Sequence, residues 1–319
     1  MKDYINNQHR YYTLDYYYKE KYNSKVFKVA LNGNFTCPNR DGTISHNGCI
    51  FCSESGSGDF AGDKELSLPD QFDQIKALLL NKWPKAKYIP YFQANTNTYG
   101  PIVKIKSLFD EAITLDKDIV SISIATRPDC ISDEVLLYLN ELNKKMPVTI
   151  ELGLQTIHES TAKLINRGYE LNVFKETVER LNKYNIEIVV HIINGLPFET
   201  KEMMLETVNY LNNLNIQGIK IHSLFILKNT KLADYYLNNE FDILSMDEYV
   251  DITVEQLALI RDDIVIHRIN GDAPRSLLIE PQWSLKKLVV MNEIDKLMKS
   301  RNYYQGCKTK KSSKELVIN

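Results

Sequence analysis

The sequence of 319 residues has no run of about 18 apolar residues, so we expect no transmembrane helix and no membrane partner. It has no strong excess of charge either, because 39 Lys and Arg face 41 Asp and Glu and leave a formal net charge of −2. A nucleic-acid partner would therefore need a local basic patch. The first ten residues are polar, and we expect no signal peptide.

Cysteine is scarce, with five residues, and the odd number and uneven spacing exclude a regular disulfide framework. We therefore expect a reducing compartment, the cytoplasm. Hydrophobic residues make up 44% of the chain, which is ordinary for a globular protein and sufficient for a sizeable core. The length suits one large α/β domain with an appendix, or two domains.

Three of the cysteines, Cys37, Cys49 and Cys52, lie in one loop rich in turn-forming residues. The Cys-x-x-Cys spacing of the last two lets both thiolates reach one metal ion or cluster, and the loop can bring the first one back to them. Three thiolates without a fourth nearby favour an iron–sulfur cluster with one iron left open. A structural zinc site completed by His46 or Cys130, and a redox-active cysteine pair, are the alternatives.

Short apolar runs alternate with helical patterns from residue 26 onward, which is typical of a parallel sheet with right-handed crossovers. Six repeats are too few to close an eight-stranded barrel, so the pattern predicts an α/β fold with an open, partial (β/α)6 TIM-like barrel. The predicted strands are Val26–Leu31, Tyr88–Phe92, Ile119–Ala125, Val148–Leu154, Ile186–Ile193 and Gly218–Leu224. The predicted helices are Pro69–Asn81, Pro101–Leu115, Ser132–Leu142, Asn172–Tyr184 and Thr200–Leu214, with N-caps at Ser132, Asn172 and Thr200.

Unusual polar residues fall at the carboxyl ends of these predicted strands, where a barrel of this kind carries its active site. The cysteine loop follows the first strand. The others are Asn95 and Asn97 after the second strand, Arg127 and Asp129 after the third, Glu151 and Gln155 on the fourth, His191 on the fifth and His222 on the sixth. The sequence therefore predicts one site at this edge of the sheet.

With these motifs the chain resembles radical S-adenosylmethionine (SAM) proteins of the YtqA/YhcC group, relatives of the elongator catalytic subunit and of oxygen-independent coproporphyrinogen oxidase. The resemblance covers nearly the whole chain and implies the partial barrel of the radical SAM type. Its motifs are Phe35–Gly42, Gly48–Cys52, Ser57–Phe60, Tyr91–Tyr99, Ser123–Asp129, Glu151–Gln155, Arg167–Gly168, His191–Pro197, Gly218–His222 and Arg268–Asp272.

The resemblance implies that Cys37, Cys49 and Cys52 hold a [4Fe–4S] cluster and that SAM binds its open iron. Asn95 and Asn97 stand where much of the superfamily has a Gly-Gly-Glu motif for the SAM amino group. Their amide oxygens can accept the ammonium protons, but without a charge.

The other implied cofactor-binding residues lie on the fourth and fifth strands and in the segment after the fourth. Glu151 and Gln155 belong to the fourth strand, and Gln155 matches a glutamine near the SAM ribose. Arg167 matches an arginine that pairs with the SAM carboxylate, a task that suits a planar fork of donors. His191 stands where a relative has an aspartate on the ribose.

A further strand, Ile264–Ile269, leads into Asp272 and Arg275, which we predict as catalytic residues on the substrate side. The segment carries the family signature although SAM binding does not require it. The predicted division of the chain is a Tyr- and charge-rich N-terminal extension at 1–25, the radical SAM partial barrel at 26–225, a C-terminal substrate-side segment at 226–305 and a disordered tail at 306–319. The extension can form a helix that caps the barrel or can stack on bases.

The resemblance to the elongator subunit points to a radical SAM enzyme that acts on wobble uridine of tRNA. The implied reaction trims 5-carboxymethylaminomethyl-uridine to 5-aminomethyl-uridine, with an electron donor such as flavodoxin or ferredoxin as a second partner. One alternative is a radical SAM oxidoreductase that acts on a small molecule. An alternative of another class is a non-catalytic iron–sulfur or zinc-binding protein.

Overall fold

The computed structural model describes residues 3–5, 9–80, 83–238 and 241–309. Their strands are β1 (Lys25–Leu31), β2 (Ala86–Phe92), β3 (Ile122–Thr126), β4 (Val148–Gln155), β5 (Glu187–Asn194), β6 (Gly218–Ser223), β7 (Ile226–Leu227), β8 (Val265–Arg268) and β9 (Leu278–Glu280). Seven of them form a parallel sheet in the order β1-β2-β3-β4-β5-β6-β8, which curls into a partial barrel. The predicted α/β partial barrel is thus confirmed.

The sheet has one strand more than the six predicted repeats, because β8 pairs in parallel with β6. Val265 and Ile266 of β8 are buried beside Gly218 and Ile219 of β6, so the apolar start of β8 extends the core. The barrel therefore continues beyond residue 225, where the sequence predicted its end. The strands β7 and β9 form a separate antiparallel pair next to it.

Ten helices occur in the described ranges. They are α1 (Leu14–Tyr22), α2 (Leu68–Leu80), α3 (Ile102–Ala112), α4 (Asp133–Lys145), α5 (Glu159–Leu164), α6 (Leu171–Asn182), α7 (Lys201–Leu211), α8 (Lys231–Leu237), α9 (Met246–Leu259) and α10 (Lys287–Ser300). The predicted caps of α4 and α7 are confirmed, since the side chains of Ser132 and Thr200 accept hydrogen bonds from main-chain nitrogens in the first turns. The predicted cap Asn172 is wrong, because Glu170 precedes α6 and the Asn172 amide donates to Glu176 instead. The predicted helix end Asn81 lies outside the described residues.

The N-terminal tyrosines belong to a helix that covers the amino ends of the strands. The buried ring of Tyr18 in α1 packs with Val26 at the start of β1 and with Ile89 of β2. The hydroxyl of Tyr17 donates a hydrogen bond to Glu187, the first residue of β5, over 2.9 Å. The described part of the extension therefore caps the barrel at the end opposite the predicted site.

Strand alternation separates an apolar outer face from a polar interior. In β4, Ile150, Leu152 and Leu154 join the main hydrophobic core, whereas Glu151 lines a cavity inside the barrel. Successive side chains of a strand point to opposite faces, so this one-residue alternation sets which residues can reach the cavity. The polar interior is what positions the site.

The end of the described chain packs against α9. The main-chain nitrogen of Lys308 donates to the carbonyl of Ala258 over 2.8 Å, and its ammonium group lies 2.6 Å from Glu255. The remainder of the predicted disordered tail, 310–319, lies outside the described residues. Within the described ranges no helix has the length and apolar character needed to cross a membrane.

Candidate functional site

A cavity of about 280 Å3 opens at the carboxyl ends of the strands, near the lower end of the range for small-ligand sites. It brings together nine of the eleven residues that the sequence predicted for the site. These are Cys37, Cys49, Cys52, Asn95, Glu151, Gln155, Arg167, His191 and Asp272. Asn97 and Arg275 do not line it.

The cysteine loop is held in place by the segment that follows α5. The side-chain amide of Asn39 donates to the carbonyl of Asn166 over 2.5 Å and to the sulfur of Cys49 over 3.6 Å. The amide of Asn166 donates in turn to the carbonyl of Gly48 over 2.7 Å. Gly168 has φ +80°, and a Cβ there would lie only 2.8 Å from Oδ1 of Asn39. Glycine at this position therefore lets the two segments approach closely.

The Cys49 and Cys52 thiols share a hydrogen bond that, together with burial, holds the pKa of Cys49 well above its usual range and favours thiolate at Cys52. Hydrogen bonding from Cys49 lowers the pKa of the Cys52 thiol, and although burial opposes this, the positive charge of Arg40 acts in the same direction. The Arg40 guanidinium is fixed above the loop by the carbonyls of Ser53 and Glu54. A lowered pKa increases the fraction of thiolate, which is the form that binds metal.

The donors fit an iron–sulfur cluster better than a zinc ion. Neither His46 nor Cys130 lines the cavity into which the three cysteines open, so neither proposed fourth zinc ligand joins them there. Across the described ranges, no three His, Cys, Asp or Glu side chains lie close enough together to hold a single metal ion. A four-iron cluster is wider than an ion, so its ligands stand further apart. Three soft thiolates with an N–H donor to one sulfur match such a cluster.

A buried ion network spans the barrel interior around Glu151, whose side chain is fully buried. One carboxylate oxygen accepts from Lys28 and, over 2.7 Å, from the Ser123 hydroxyl. The other accepts from Lys220 and, over 2.7 Å, from Nε2 of His191. Burial alone would raise the pKa of Glu151, but Lys220 and Lys28 hold it well below its usual range. The carboxylate is thus ionised and fixes residues from four other strands of the sheet, β1, β3, β5 and β6.

The interior histidines are neutral. Burial lowers the pKa of His191 to about 4, and Lys220 lowers it further against the opposing effect of Glu151. Burial also holds the pKa of His222 and of His267 well below the usual range. The rings of His191 and His222 stack with centroids 5.2 Å apart. Two adjacent neutral imidazoles therefore line the cavity wall.

These histidines predict a loss of stability in acid. Below about pH 6.5 the unfolded chain protonates all three imidazoles while the folded chain does not, so unfolding takes up protons and the free energy of unfolding falls as the pH falls. For His191 the window runs from about pH 6.5 down to about pH 4. Urea unfolding at several pH values across this window measures the slope.

The variant His267→Leu removes one of the three buried imidazoles and is expected to reduce that slope by about one proton. The exposed residue His46 supplies the control, and His46→Gln should leave the slope unchanged. His9 acts in the opposite sense, because its hydrogen bond to Asp295 raises its pKa. If the free energy of unfolding changes with pH equally in His267→Leu and in the wild-type chain, His267 is not a buried neutral imidazole with a lowered pKa.

The amides predicted for the SAM amino group have different placements. The main-chain nitrogen of Asn95 donates to the carbonyl of Gly56 over 2.8 Å, and its side chain lines the cavity beside the cysteine loop. The side chain of Asn97 is buried, and its amide donates to the carbonyls of Phe92 and Ala125. Asn97 thus joins the ends of β2 and β3 through its amide nitrogen and does not line the cavity, while its buried Oδ1 has no hydrogen-bond partner in the described ranges, and its contact with a cofactor stays a prediction.

Gln155 lines the cavity from an irregular strand end. Its φ is +64°, and the register between β4 and β5 shifts between Gly153 and Gln155. A Cβ on Gly153 would lie 2.6 Å from Nε2 of Gln155, so glycine allows the amide to fold back over the strand. The placement agrees with a polar contact to a bound molecule.

Arg167 is buried, and most of its N–H donors already form hydrogen bonds within the protein. Its guanidinium donates to the carbonyls of Leu154, Thr156 and Tyr169 and to the carboxylate of Glu159, at 2.7–3.2 Å. Four of its five N–H groups are thereby engaged, and the side chain still lines the cavity. Arg167 therefore organises the end of β4 and has one N–H left for a ligand.

The two predicted catalytic residues of the C-terminal segment are separated. Asp272 lines the cavity and pairs with Lys287 over 2.8 Å and with Arg268 over 3.5 Å. Arg275 is exposed on the loop that leads to β9 and lies outside the set of cavity-lining residues. The loop turns away from the cavity after Pro274, so we revise the predicted catalytic position of Arg275.

Sequence reasoning missed the most unusual members of the site. Lys28 and Lys220 lie within apolar strand sequences, and Asn39 follows the first cysteine by two residues. A lysine flanked by apolar residues in a buried strand is a detectable signal, because lysine is almost never buried without a partner. The contact of Asn39 with Cys49 depends on the loop conformation and leaves no such signal.

Two family models match consecutive parts of the chain. The model of the radical SAM superfamily matches residues 41–211, and the model of the radical SAM C-terminal domain matches residues 216–300. The first spans more than half of the chain. The second includes β8, Asp272 and all of α10.

Proteins of similar length share much of the sequence. YtqA of Bacillus subtilis is 48% identical over 95% of this chain and 94% of its own length. YhcC of Escherichia coli is 32% identical over 87% of this chain and 89% of its own length. A more distant relative is the tRNA uridine(34) acetyltransferase of Methanocaldococcus infernus, 22% identical over 50% of this chain and 30% of that protein.

Among solved structures, the archaeal Elp3 of Methanocaldococcus infernus has a similar fold. It superposes with a TM-score of 0.67 at 17% identity over 88% of this chain. This chain spans only 64% of the length of that protein. The similarity shows the fold of the barrel.

Proposed function

The chain belongs to the radical SAM superfamily, in the group of YtqA and YhcC, and from this premise we propose that it is a tRNA-modifying enzyme. The proposed reaction trims 5-carboxymethylaminomethyl-uridine at the wobble position to 5-aminomethyl-uridine. The observation that carries the enzymatic proposal is a single cavity that holds three cysteines at one side and a network of ionisable side chains at the other. Such a cavity places side chains that could hold a cofactor next to side chains that could hold a reacting group.

Cys37, Cys49 and Cys52 are the proposed cluster ligands, with SAM on the open iron. When bound, the cluster would supply the one-electron reduction of SAM, and with it the radical chemistry that can remove hydrogen from unactivated carbon. The chain itself contributes positioning and exclusion of water. Asn95, Gln155 and Arg167 are the proposed partners of the polar groups of SAM, since all three line the cavity.

The proposed trimming balances as an oxidation followed by hydrolysis. A hydrogen atom leaves the carbon between the secondary amine and the carboxylate, and one further electron leaves for an electron carrier of the flavodoxin or ferredoxin class. The resulting C=N bond adds water and breaks, which gives 5-aminomethyl-uridine and the two-carbon aldehyde acid. The substrate carbon must therefore be held beside SAM while its carboxylate is held apart from it.

Two observations support tRNA as the substrate. One is the relationship to Elp3 and to the tRNA uridine(34) acetyltransferase. In each of these proteins, only part of the length matches this chain. The other is the position of basic side chains near the cavity entrance: Arg268 and Lys287 beside Asp272, and the exposed Arg275 on the loop that follows. Basic side chains of this kind can contact phosphates without reading sequence.

The proposal is tested with the reconstituted chain, SAM, a reductant and tRNA that carries 5-carboxymethylaminomethyl-uridine. We expect 5-aminomethyl-uridine and 5′-deoxyadenosine to appear together in nucleoside mass spectrometry. If 5′-deoxyadenosine forms while the nucleoside stays intact, the substrate is another molecule, such as a small metabolite. If neither forms, the catalytic proposal is wrong and a non-catalytic cluster protein remains.

Asp272 provides a test of the substrate side. We expect Asp272→Asn to reduce conversion of the nucleoside while SAM cleavage without substrate persists, because the change leaves the cysteines and Arg167 untouched. Asp110→Asn is a matched control: Asp110 is similarly exposed, at 44% against 40%, and also forms an ion pair with a lysine. If Asp272→Asn loses 5-aminomethyl-uridine and 5′-deoxyadenosine equally, Asp272 maintains the structure of the site and has no separate role on the substrate side.

Arg167 provides a test of the cofactor side. We expect Arg167→Ala to weaken SAM binding by about 1.5–3 kcal/mol, the scale of a charged hydrogen bond, with the iron content retained. Titration calorimetry on the reconstituted protein measures the affinity. Arg180→Ala is the control, since Arg180 also binds a carbonyl and a carboxylate but does not line the cavity. Unchanged affinity in Arg167→Ala refutes the contact.

A further inference from the structure

The wall of the cavity away from the cysteines belongs to an ion network with more cations than carboxylates. Lys220 and Arg268 line the cavity with Glu151 and Asp272, while Lys28 pairs with Glu151 and Lys287 pairs with Asp272 from outside the lining. The interior histidines are neutral. Within the described ranges, four cationic side chains thus share two carboxylates, with the Glu151 end buried and the Asp272 end partly exposed.

Two of these cations, Lys220 and Arg268, are adjacent and have donors to spare. The sheet register pairs His191 with Lys220, and Lys220 with Arg268 on the next strand. The Lys220 ammonium donates to Glu151 and to the hydroxyl of Tyr91, which leaves one of its three N–H bonds free. Within the described ranges, the Arg268 guanidinium has a single ion pair, the 3.5 Å contact with Asp272.

His222 adds an unused polar atom to the same wall. It lines the cavity two residues after Lys220 on β6, and its Nε2 is buried without a hydrogen-bond partner. A buried polar atom without a partner is costly and rare in folded proteins. A bound group that pairs with this nitrogen and with the two cations would satisfy all three.

We propose that Lys220, His222 and Arg268 form a binding site for a carboxylate group. A carboxylate offers two oxygens in one plane, which matches the fork of a guanidinium, and it would balance the excess of positive charge. Burial lowers the pKa of Lys220, Lys28 and Arg268 act in the same direction, and Glu151 opposes them, so that the pKa is about 7.

The inference deepens the proposed function, on which its substrate assignment rests. A 5-carboxymethylaminomethyl group ends in a carboxylate, and anchoring it on Lys220 and Arg268 would hold the neighbouring carbon inside the cavity. Arg167, next to the segment that braces the cysteine loop, is the proposed partner of the SAM carboxylate. The two carboxylates would then occupy different parts of the same cavity.

The test uses N-methylglycine, which reproduces the secondary amine and the carboxylate of the proposed side chain. Its binding to the full chain with reconstituted cluster is measured by saturation-transfer NMR, with N-ethylmethylamine as the probe that lacks the carboxylate. We expect N-methylglycine to bind and N-ethylmethylamine not to bind. Lys220→Met should weaken binding by about tenfold or more, the loss of one charged hydrogen bond.

Two further variants separate binding from folding. Arg268→Gln leaves Glu151 and its hydrogen-bond partners in place and should also weaken binding of N-methylglycine. Lys76→Met removes a lysine from a partly buried pair, with Asp116, outside the cavity, and should leave binding unchanged. Absence of binding to the wild-type chain, or equal binding to wild type, Lys220→Met and Arg268→Gln, overturns the site.

Competition identifies the source of the carboxylate. If N-methylglycine still binds when SAM is saturating, the site belongs to a substrate. If SAM displaces it and Lys220→Met also weakens SAM, the site holds the carboxylate of SAM. Binding does not depend on turnover, so a failure to trim tRNA with intact N-methylglycine binding would reject the proposed function and leave the carboxylate site standing.

Discussion

Replacing Cys37, Cys49 or Cys52 by alanine is expected to abolish cluster binding, because the cavity provides no other thiolate to take the empty position. The three cysteines line one cavity, and Cys130, the remaining cysteine near the strand ends, lies outside its lining. Two thiolates leave two irons of a four-iron cluster without protein ligands. Iron and acid-labile sulfide analysis after anaerobic reconstitution measures the loss.

Cys130→Ala and Cys307→Ala are the matched controls and should retain iron and sulfide at the wild-type level. Burial raises the pKa of the Cys130 thiol well above its usual range, which disfavours the thiolate needed for metal binding. Full iron occupancy in Cys49→Ala would reject the assignment. Stoichiometric zinc without sulfide in the wild-type chain would instead favour the zinc alternative.

A milder change at the same loop tests the hydrogen bond to Cys49. An N–H donor to a ligating sulfur stabilises the more negative state of a cluster and raises its reduction potential. Asn39→Leu removes that donor, which lies 3.6 Å from the sulfur, without removing a ligand. The alanine variants test whether the cluster binds, whereas Asn39→Leu tests how the hydrogen bond to Cys49 affects the reduction potential of the bound cluster.

The sequence predicted the partial barrel because each buried strand carries an uninterrupted apolar pattern and each crossover helix carries its own periodicity. It predicted a strand at Ile264–Ile269 but placed it outside the six-strand barrel, whereas β8 (Val265–Arg268) pairs in parallel with β6 and extends the sheet. It also missed α10, whose first residue follows a short 3-10 turn at Gln282–Leu285 and whose N-cap is a lysine without a side-chain hydrogen bond. Short elements and weak caps leave little periodic signal.

For the site, the sequence predicted which residues line the cavity better than it predicted their hydrogen-bond partners. Residues at strand ends must meet at one edge of a parallel sheet, so nine predicted residues line the cavity. Which donor faces which acceptor depends on side-chain geometry. That is why the amide of Asn97 joins two strands and most donors of Arg167 join carbonyls, although both have the chemistry of a ligand partner.

The interior ion network leads to the largest expected loss of stability. Glu151 is the only carboxylate hydrogen-bonded to both Lys28 and Lys220 in the described ranges, and its side chain is fully buried. Replacing it by glutamine keeps the shape but removes the charge, and it leaves two ammonium groups buried without a counter-charge. Breaking a buried pair in this way costs about 3–5 kcal/mol. Urea unfolding at neutral pH measures the change in the free energy of unfolding.

The pH dependence distinguishes this electrostatic cost from a simple packing defect. The pKa of Lys220 is about 7 with Glu151 present, and the loss of that carboxylate lowers it further, because Glu151 is the group that opposes the effect of burial. Just below pH 7 the folded variant has therefore lost a proton that the folded wild-type chain keeps, so the stability of the variant rises toward that of the wild-type chain as the pH rises to about 7. Adding Lys220→Met to Glu151→Gln should recover part of the loss at neutral pH, because it removes one of the two uncompensated charges. A deficit that stays constant from acid to alkaline pH, with no recovery in the double variant, would mean that the charge of Glu151 does not hold the barrel interior together.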